Sequence, residues 1–223
     1  MKYAVKKAFT LVELLVVIGV IALLCAFILP ALGKARESAK NTVVNAELQQ
    51  IALALECYGH DHKDTFPPTY VSCMLQEHYY QLPFELTRMN YLPGKPDANG
   101  PMSSAFEDRY NPEHTYKYLA PGDLIINQGV RPLANKSRIW IPDNFNTDHE
   151  LDAGQFCRVP EEAPVSWVVY SLGPNFDPTD PDVLNLHYPV PQKTWYNSNR
   201  RKGFLTRIRL RQGGYTGTFQ RNR

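Results

Sequence analysis

The chain has 223 residues, enough for one compact domain or a smaller domain with a long extension. Its 43% hydrophobic and 21% charged residues are those of an ordinary soluble protein, and a net charge of +2 gives no reason to expect nucleic acid as a partner. These averages hide a split: residues 9–32 are almost wholly apolar, Lys2, Lys6 and Lys7 precede them, and residues 200–223 carry Arg and Lys without one acid, so the stretch between is acidic.

The N-terminus reads MKYAVKKAFTLVELLVVIGVIALLCAFILPALG. The apolar run from Phe9 to about Leu29 would span roughly 31 Å as a helix, close to the hydrocarbon thickness of a bilayer. The lysines predict a cytoplasmic N-terminal end and an outer location for the rest. Three ordinary readings compete. A secretory signal could be cut near Ala31-Leu32-Gly33, but its apolar core should be shorter. A lipoprotein signal ending at Cys25 needs a small residue before it, and Leu24 stands there. A plain signal anchor gives no reason for Glu13, a carboxylate inside a membrane span. Cleavage before Phe9 gives one. The new α-amino group would sit near Glu13 of its own chain and could meet Glu13 of a staggered neighbour, which makes the pair a register device.

The stretch Lys7-Ala8-Phe9-Thr10-Leu11-Val12-Glu13-Leu14-Leu15-Val16-Val17-Ile18 resembles the class III signal of type IV pilins and type II secretion pseudopilins. The resemblance implies cleavage between Ala8 and Phe9 by a prepilin peptidase, where the family usually carries Gly in place of Ala8. It also implies methylation of the Phe9 amine and a docking role for Glu13. Pro30 falls where the family often has a helix-bending proline.

After Pro30, Ala, Leu, Glu, Lys and Gln favour helix. Val44, Leu48, Ile51, Leu55 and Tyr58 recur at spacings that make one apolar stripe, and Gly59 reads as the C-terminal stop. These features predict a leader over 1–8, a long helix over 9–58 with a membrane span over about 9–29, and a globular head over 59–223; the alternative is two separate helices broken at Pro30 or Gly33. The helix would measure roughly 75 Å.

Helical character in residues 74–92 is interrupted by Pro83, and 93–164 read as long loops with short strands. Strands are expected at Ser137–Ile141 and Pro164–Ser171. A hairpin is expected at 204–219, with Phe204, Thr206, Ile208 and Leu210 on one face, Arg207, Arg209 and Arg211 on the other, and Gln212-Gly213-Gly214 at the turn. The fold class is therefore α+β: a long helix packed on a small antiparallel sheet.

Asp177, Asp180 and Asp182 follow a Ser171-Leu172-Gly173 turn. Clustered carboxylates suit calcium, and the setting resembles the calcium loop of major pseudopilins, although prolines are inserted and the Asp-Gly step is missing. The competing reading is a solvated Pro-rich loop. His60 and His62 lack a third ligand in phase and read as part of the helix end. The arginine row reads as a solvated face or protected edge, with an anionic partner as the alternative. Trp195-Tyr196 is a candidate surface patch. Cys25 lies in the apolar run, and Cys57, Cys73 and Cys157 leave one disulfide whose pair stays open.

No nucleophile motif surrounds the histidines, Cys157 or Ser171, so no catalysis is expected. The resemblance implies a structural subunit of a pseudopilus for protein secretion. Its partners would be a prepilin peptidase, other pilin-like subunits, an inner-membrane platform and an assembly ATPase, and its head would lie in the periplasm. The alternative is a membrane-anchored or exported enzyme or binding protein.

Overall fold

The computed structural model describes residues 10–71, 80–97, 100–104, 106–126, 139–140, 156–157, 160–177 and 192–219. The chain divides into two units, Met1–Thr42 and Val43–Arg223, and helix α1 (Leu11–Asp61) belongs to both. In the first unit α1 continues through Pro30 without a break. Pro30 removes the N–H that Ala26 would accept from, which neighbouring groups can satisfy in a membrane.

In the second unit the strands are short. They are β1 (Thr69–Val71), β2 (Gly94–Asp97), β3 (Gly100–Ser104), β4 (Lys117–Leu119), β5 (Leu124–Ile126), β6 (Ile139–Trp140), β7 (Phe156–Cys157), β8 (Val165–Ser171), β9 (Leu205–Leu210) and β10 (Tyr215–Gly217). A one-turn helix, α2 (Glu85–Arg88), follows Pro83. The main sheet is antiparallel in the order β10-β9-β8-β4. Bridges from Gln81 to Tyr70 and to Lys117 tie β4 to a small parallel pair, β1 with β5, which the antiparallel expectation did not contain. The fold class is as expected: an apolar N-terminal helix with a small, mainly antiparallel sheet.

The stripe on α1 is the centre of the head. Val44, Leu48, Ile51 and Leu55 are fully buried and Tyr58 nearly so, packed with Tyr116, Tyr118, Trp167, Val169 and Leu205. Each such side chain contributes about 1.5–3 kcal/mol by leaving water. The opposite sheet face is also covered: Leu119, Val165, Val168, Tyr170, Phe204 and Ile208 form a second cluster with Trp195. Burial on both faces explains why Trp167-Val168-Val169-Tyr170 lacks the polar alternation of a half-exposed strand. A register shift between Val165 and Trp167 puts Val165 on the same side as Val168.

The end of α1 differs from expectation. The helix passes through Gly59 and stops at Asp61. Lys63 and Asp64 take left-handed conformations, His62 N–H bonds Tyr58 O at 3.0 Å and Asp64 N–H bonds Gly59 O at 2.8 Å. Gly59 has a packing role instead, since a Cβ there would lie 2.8 Å from the Phe66 ring.

Candidate assembly surface

From Leu11 to Leu32 the large apolar side chains of α1 are exposed, Leu11 at 78% and Phe27 at 73%. A continuous exposed apolar surface of this size needs a partner outside its own chain, either lipid or other proteins. The helix is long and apolar enough to cross a membrane.

Glu13 sits in the first turn. Thr10 O accepts the first helical bond, from Leu14 N–H at 3.3 Å, so Thr10 is the N-cap. Thr10 Oγ1 accepts from Glu13 N–H at 3.2 Å, and Glu13 Oε2 accepts from Thr10 N–H at 2.9 Å and from Thr10 Oγ1 at 2.8 Å. This reciprocal pair is a capping box, in which the carboxylate serves donors that a helix start leaves open. The positive end of the helix dipole favours a negative charge at this place. Among the described residues Oε1 has no donor. The T-x-x-E spacing of Thr10 and Glu13 is the sequence signal for this cap. Ala8 and Phe9 lie outside the described residues.

Three polar clamps hold the head, and none was expected. Glu47, 8% exposed on the buried side of α1, accepts from Tyr116 Oη and from Arg109, whose Nε lies 3.0 Å from Oε1. Glu47 raises the Arg109 pKa, and burial followed by Glu47 raises that of Tyr116. Glu47 falls three residues after Val44, on the stripe itself, and that position was the available signal. Arg209 Nε meets Glu56 Oε1 at 2.8 Å, and the Arg207 guanidinium lies 4.4 Å from the Tyr215 ring centroid. These two arginines therefore share the sheet face that packs on α1 and are not a solvated row. Asp108, 1% exposed, accepts from Ser171 Oγ at 2.6 Å, Tyr110 N–H at 2.9 Å and Leu172 N–H at 3.0 Å. Burial raises its pKa, and these bonds and Lys117 oppose the rise.

The Ser171-Leu172-Gly173 turn is thus fixed by Asp108. Gly173 also approaches the chain at 203 so closely that a Cβ would lie 2.0 Å from Gly203 O, and its φ is +71°. Of the three acids read as calcium ligands, Asp177 is half-buried with its carboxylate 3.9 Å from Lys202 Nζ, while Asp180 and Asp182 lie outside the described residues. His62 stacks on Tyr58 at 3.9 Å, consistent with a helix-end role. Trp195 is 2% exposed, so it is core and not a surface patch. Cys25 and Cys57 are free and exposed, and the side chains of Cys73 and Cys157 are not among those described.

A 56-residue stretch of the chain is 46% identical to the type IV wide pilus major component PilA4 of Thermus thermophilus. The chain is pilin-like over that stretch. It covers 25% of this chain and 43% of that protein, so the match spans less than half the length of the curated relative. The chain matches no family model and no solved structure. A long exposed apolar helix with a packed α+β head accords with a filament subunit anchored through its N-terminal helix.

Proposed function

We propose that this chain is a structural pilin-like subunit of a pseudopilus that serves protein secretion. A prepilin peptidase cuts between Ala8 and Phe9, and the Phe9 amine is methylated. The subunit is held in the inner membrane by α1, with its head in the periplasm, until a platform and an assembly ATPase draw it into the filament. The observation that carries this reading is an α1 whose first half is exposed and apolar while its first turn presents Glu13. In the filament, Glu13 exchanges or shares its Thr10 bonds with the Phe9 amine of a neighbour, and the bare helix faces pack together. Chemistry on a substrate has no part in this.

The first test is intact-mass and N-terminal analysis of protein from its native membrane. A chain beginning at N-methylated Phe9 supports the reading; one beginning at Met1 or after Gly33 defeats it. The second is Glu13→Leu, which should leave the head folded and the chain in the membrane but abolish the subunit crosslinking ladder along α1.

Within this class, the Ser171–Pro174 turn and acidic segment favour a pseudopilus. A pilus subunit is the second reading, favoured by the likeness to a pilus component. Filaments sheared from the cell surface and made of this chain would decide for the pilus. Retention in the envelope, with loss of secretion when the chain is deleted, would decide for the pseudopilus.

A further inference from the structure

The apolar surface of α1 ends at Leu32, and the next turns carry Lys34, Arg36, Glu37 and Lys40. Lys34 and Arg36 are exposed, and Glu37 and Lys40 are partly covered. Residues 9–33 contain no Lys or Arg, so a chain beginning at Phe9 has its first basic side chains here.

Two geometric facts restrict what these bases meet. The first is depth. Leu11 to Leu32 span roughly 33 Å of helix against a hydrocarbon core of about 30 Å, and the headgroup layer adds about 5–7 Å on each side. Lys34 lies about 3 Å beyond Leu32 along the axis and Arg36 about 6 Å, both within that layer. Lys40, about 12 Å beyond, can fold its stem back toward it. The second is direction. At about 100° per residue, Arg36 and Lys40 are about 40° apart around the axis, while Lys34 is about 120–160° from them. A docked protein covers one side of a helix, whereas a headgroup layer surrounds it.

We infer that Lys34, Arg36 and Lys40 form a lipid-phosphate anchor that holds the unassembled subunit at the outer surface of the membrane and prefers anionic lipid. The inference rests on the reading of α1's exposed apolar stretch as a membrane span, taken to Leu32, where that stretch ends, in place of the Leu29 expected from sequence. The anchor keeps the head end of the span from sinking into hydrocarbon, and it must be released when the subunit is extracted into a filament. Glu37 tempers it, leaving a net charge of two over this segment.

The test uses the full chain in vesicles of equal phosphatidylglycerol and phosphatidylcholine, with trace spin-labelled lipid of either headgroup reporting which one lines the protein. Lys2→Gln, Lys6→Gln and Lys7→Gln are present throughout, so the leader contributes nothing. This chain should enrich phosphatidylglycerol by up to about thirtyfold, the scale set by two net cations at a membrane surface. High salt should reduce the enrichment. Adding Lys34→Gln, Arg36→Gln and Lys40→Gln should bring the ratio close to one; Gln keeps helix propensity, and an unchanged urea midpoint shows that partly covered Lys40 was not needed for the fold. No enrichment in the first chain, or enrichment that survives the second set, overturns the anchor. Bases that contacted a second copy instead of lipid would also leave the ratio at one. A carbonate wash separates the two failures: a chain that leaves the vesicles sinks the membrane-span reading itself, while one that stays without lipid preference sinks the anchor alone.

Discussion

Between Leu11 and Leu32, α1 leaves leucine, valine and isoleucine side chains bare, whereas between Val44 and Tyr58 the stripe residues of the same helix are buried to 8% or less. The residue types hardly differ. What differs is whether the chain supplies its own partner. The second stretch alternates apolar and polar positions, so one face can be covered by a sheet. The first is apolar all round apart from Glu13, and no single sheet face could cover it. One helix thus combines a folding element with an element that is complete only in other surroundings.

The largest expected break of this comparison is a truncation in each stretch. Leu48→Ala should lower unfolding free energy by about 2–5 kcal/mol, because a fully buried leucine leaves a cavity. Leu15→Ala, on the bare stretch, should stay within about 0.5 kcal/mol. Urea unfolding in detergent, followed by tryptophan fluorescence, measures both; equal losses would erase the distinction. Gly59→Ala comes next. Alanine gains about 1 kcal/mol of helix propensity, but its Cβ meets Phe66, and overpacking costs about 1–3 kcal/mol, so a net loss is expected in the same assay.

Asp108→Asn tests the clamp through pH. Burial raises the Asp108 pKa, so the folded state holds that proton more tightly than the unfolded one. The stability this contributes is full below the unfolded carboxylate value of about 3.9 and is lost as pH rises through the folded value. Asparagine does not titrate, and its amide presents N–H to a donor that the carboxylate accepted. The variant should therefore be less stable at pH 4, and its deficit should narrow toward pH 7. Urea midpoints at four pH values decide, and a deficit that widens with pH sinks the account. The smallest effect is expected for Glu56 and Arg209: both are partly exposed, and a double-mutant cycle should give about 0.2–1 kcal/mol of coupling.

Much of the head's frame was legible. The α1 stripe, β8 and the β9–β10 hairpin with its Gly213-Gly214 turn stand where periodicity put them. These are local signals, carried by side chains a few residues apart. The errors share the opposite property. Arg209 pairs with Glu56, Asp108 with Ser171 and Glu47 with Arg109 and Tyr116, over separations of 62 to 153 residues. A row of arginines looks solvated until the helix that covers it is known. Gly59 looked like a stop because a glycine's absent side chain fits both a helix end and a close contact, and sequence does not distinguish them. Of the assembly surface, Glu13 and the apolar run were legible, while the capping box lies hidden in a run whose other side chains are apolar.

The close approach of Gly173 and Gly203 has a consequence for how this head can change over time. The two glycines seal the chain just after β8 against the chain just before β9, with Asn175 Nδ2 bonded to Arg201 O beside them. Strand register is set on the sheet side of that seal. Any larger residue at Gly173 or Gly203 would push these two backbones apart, so both places are closed to substitution while β8 and β9 keep their register.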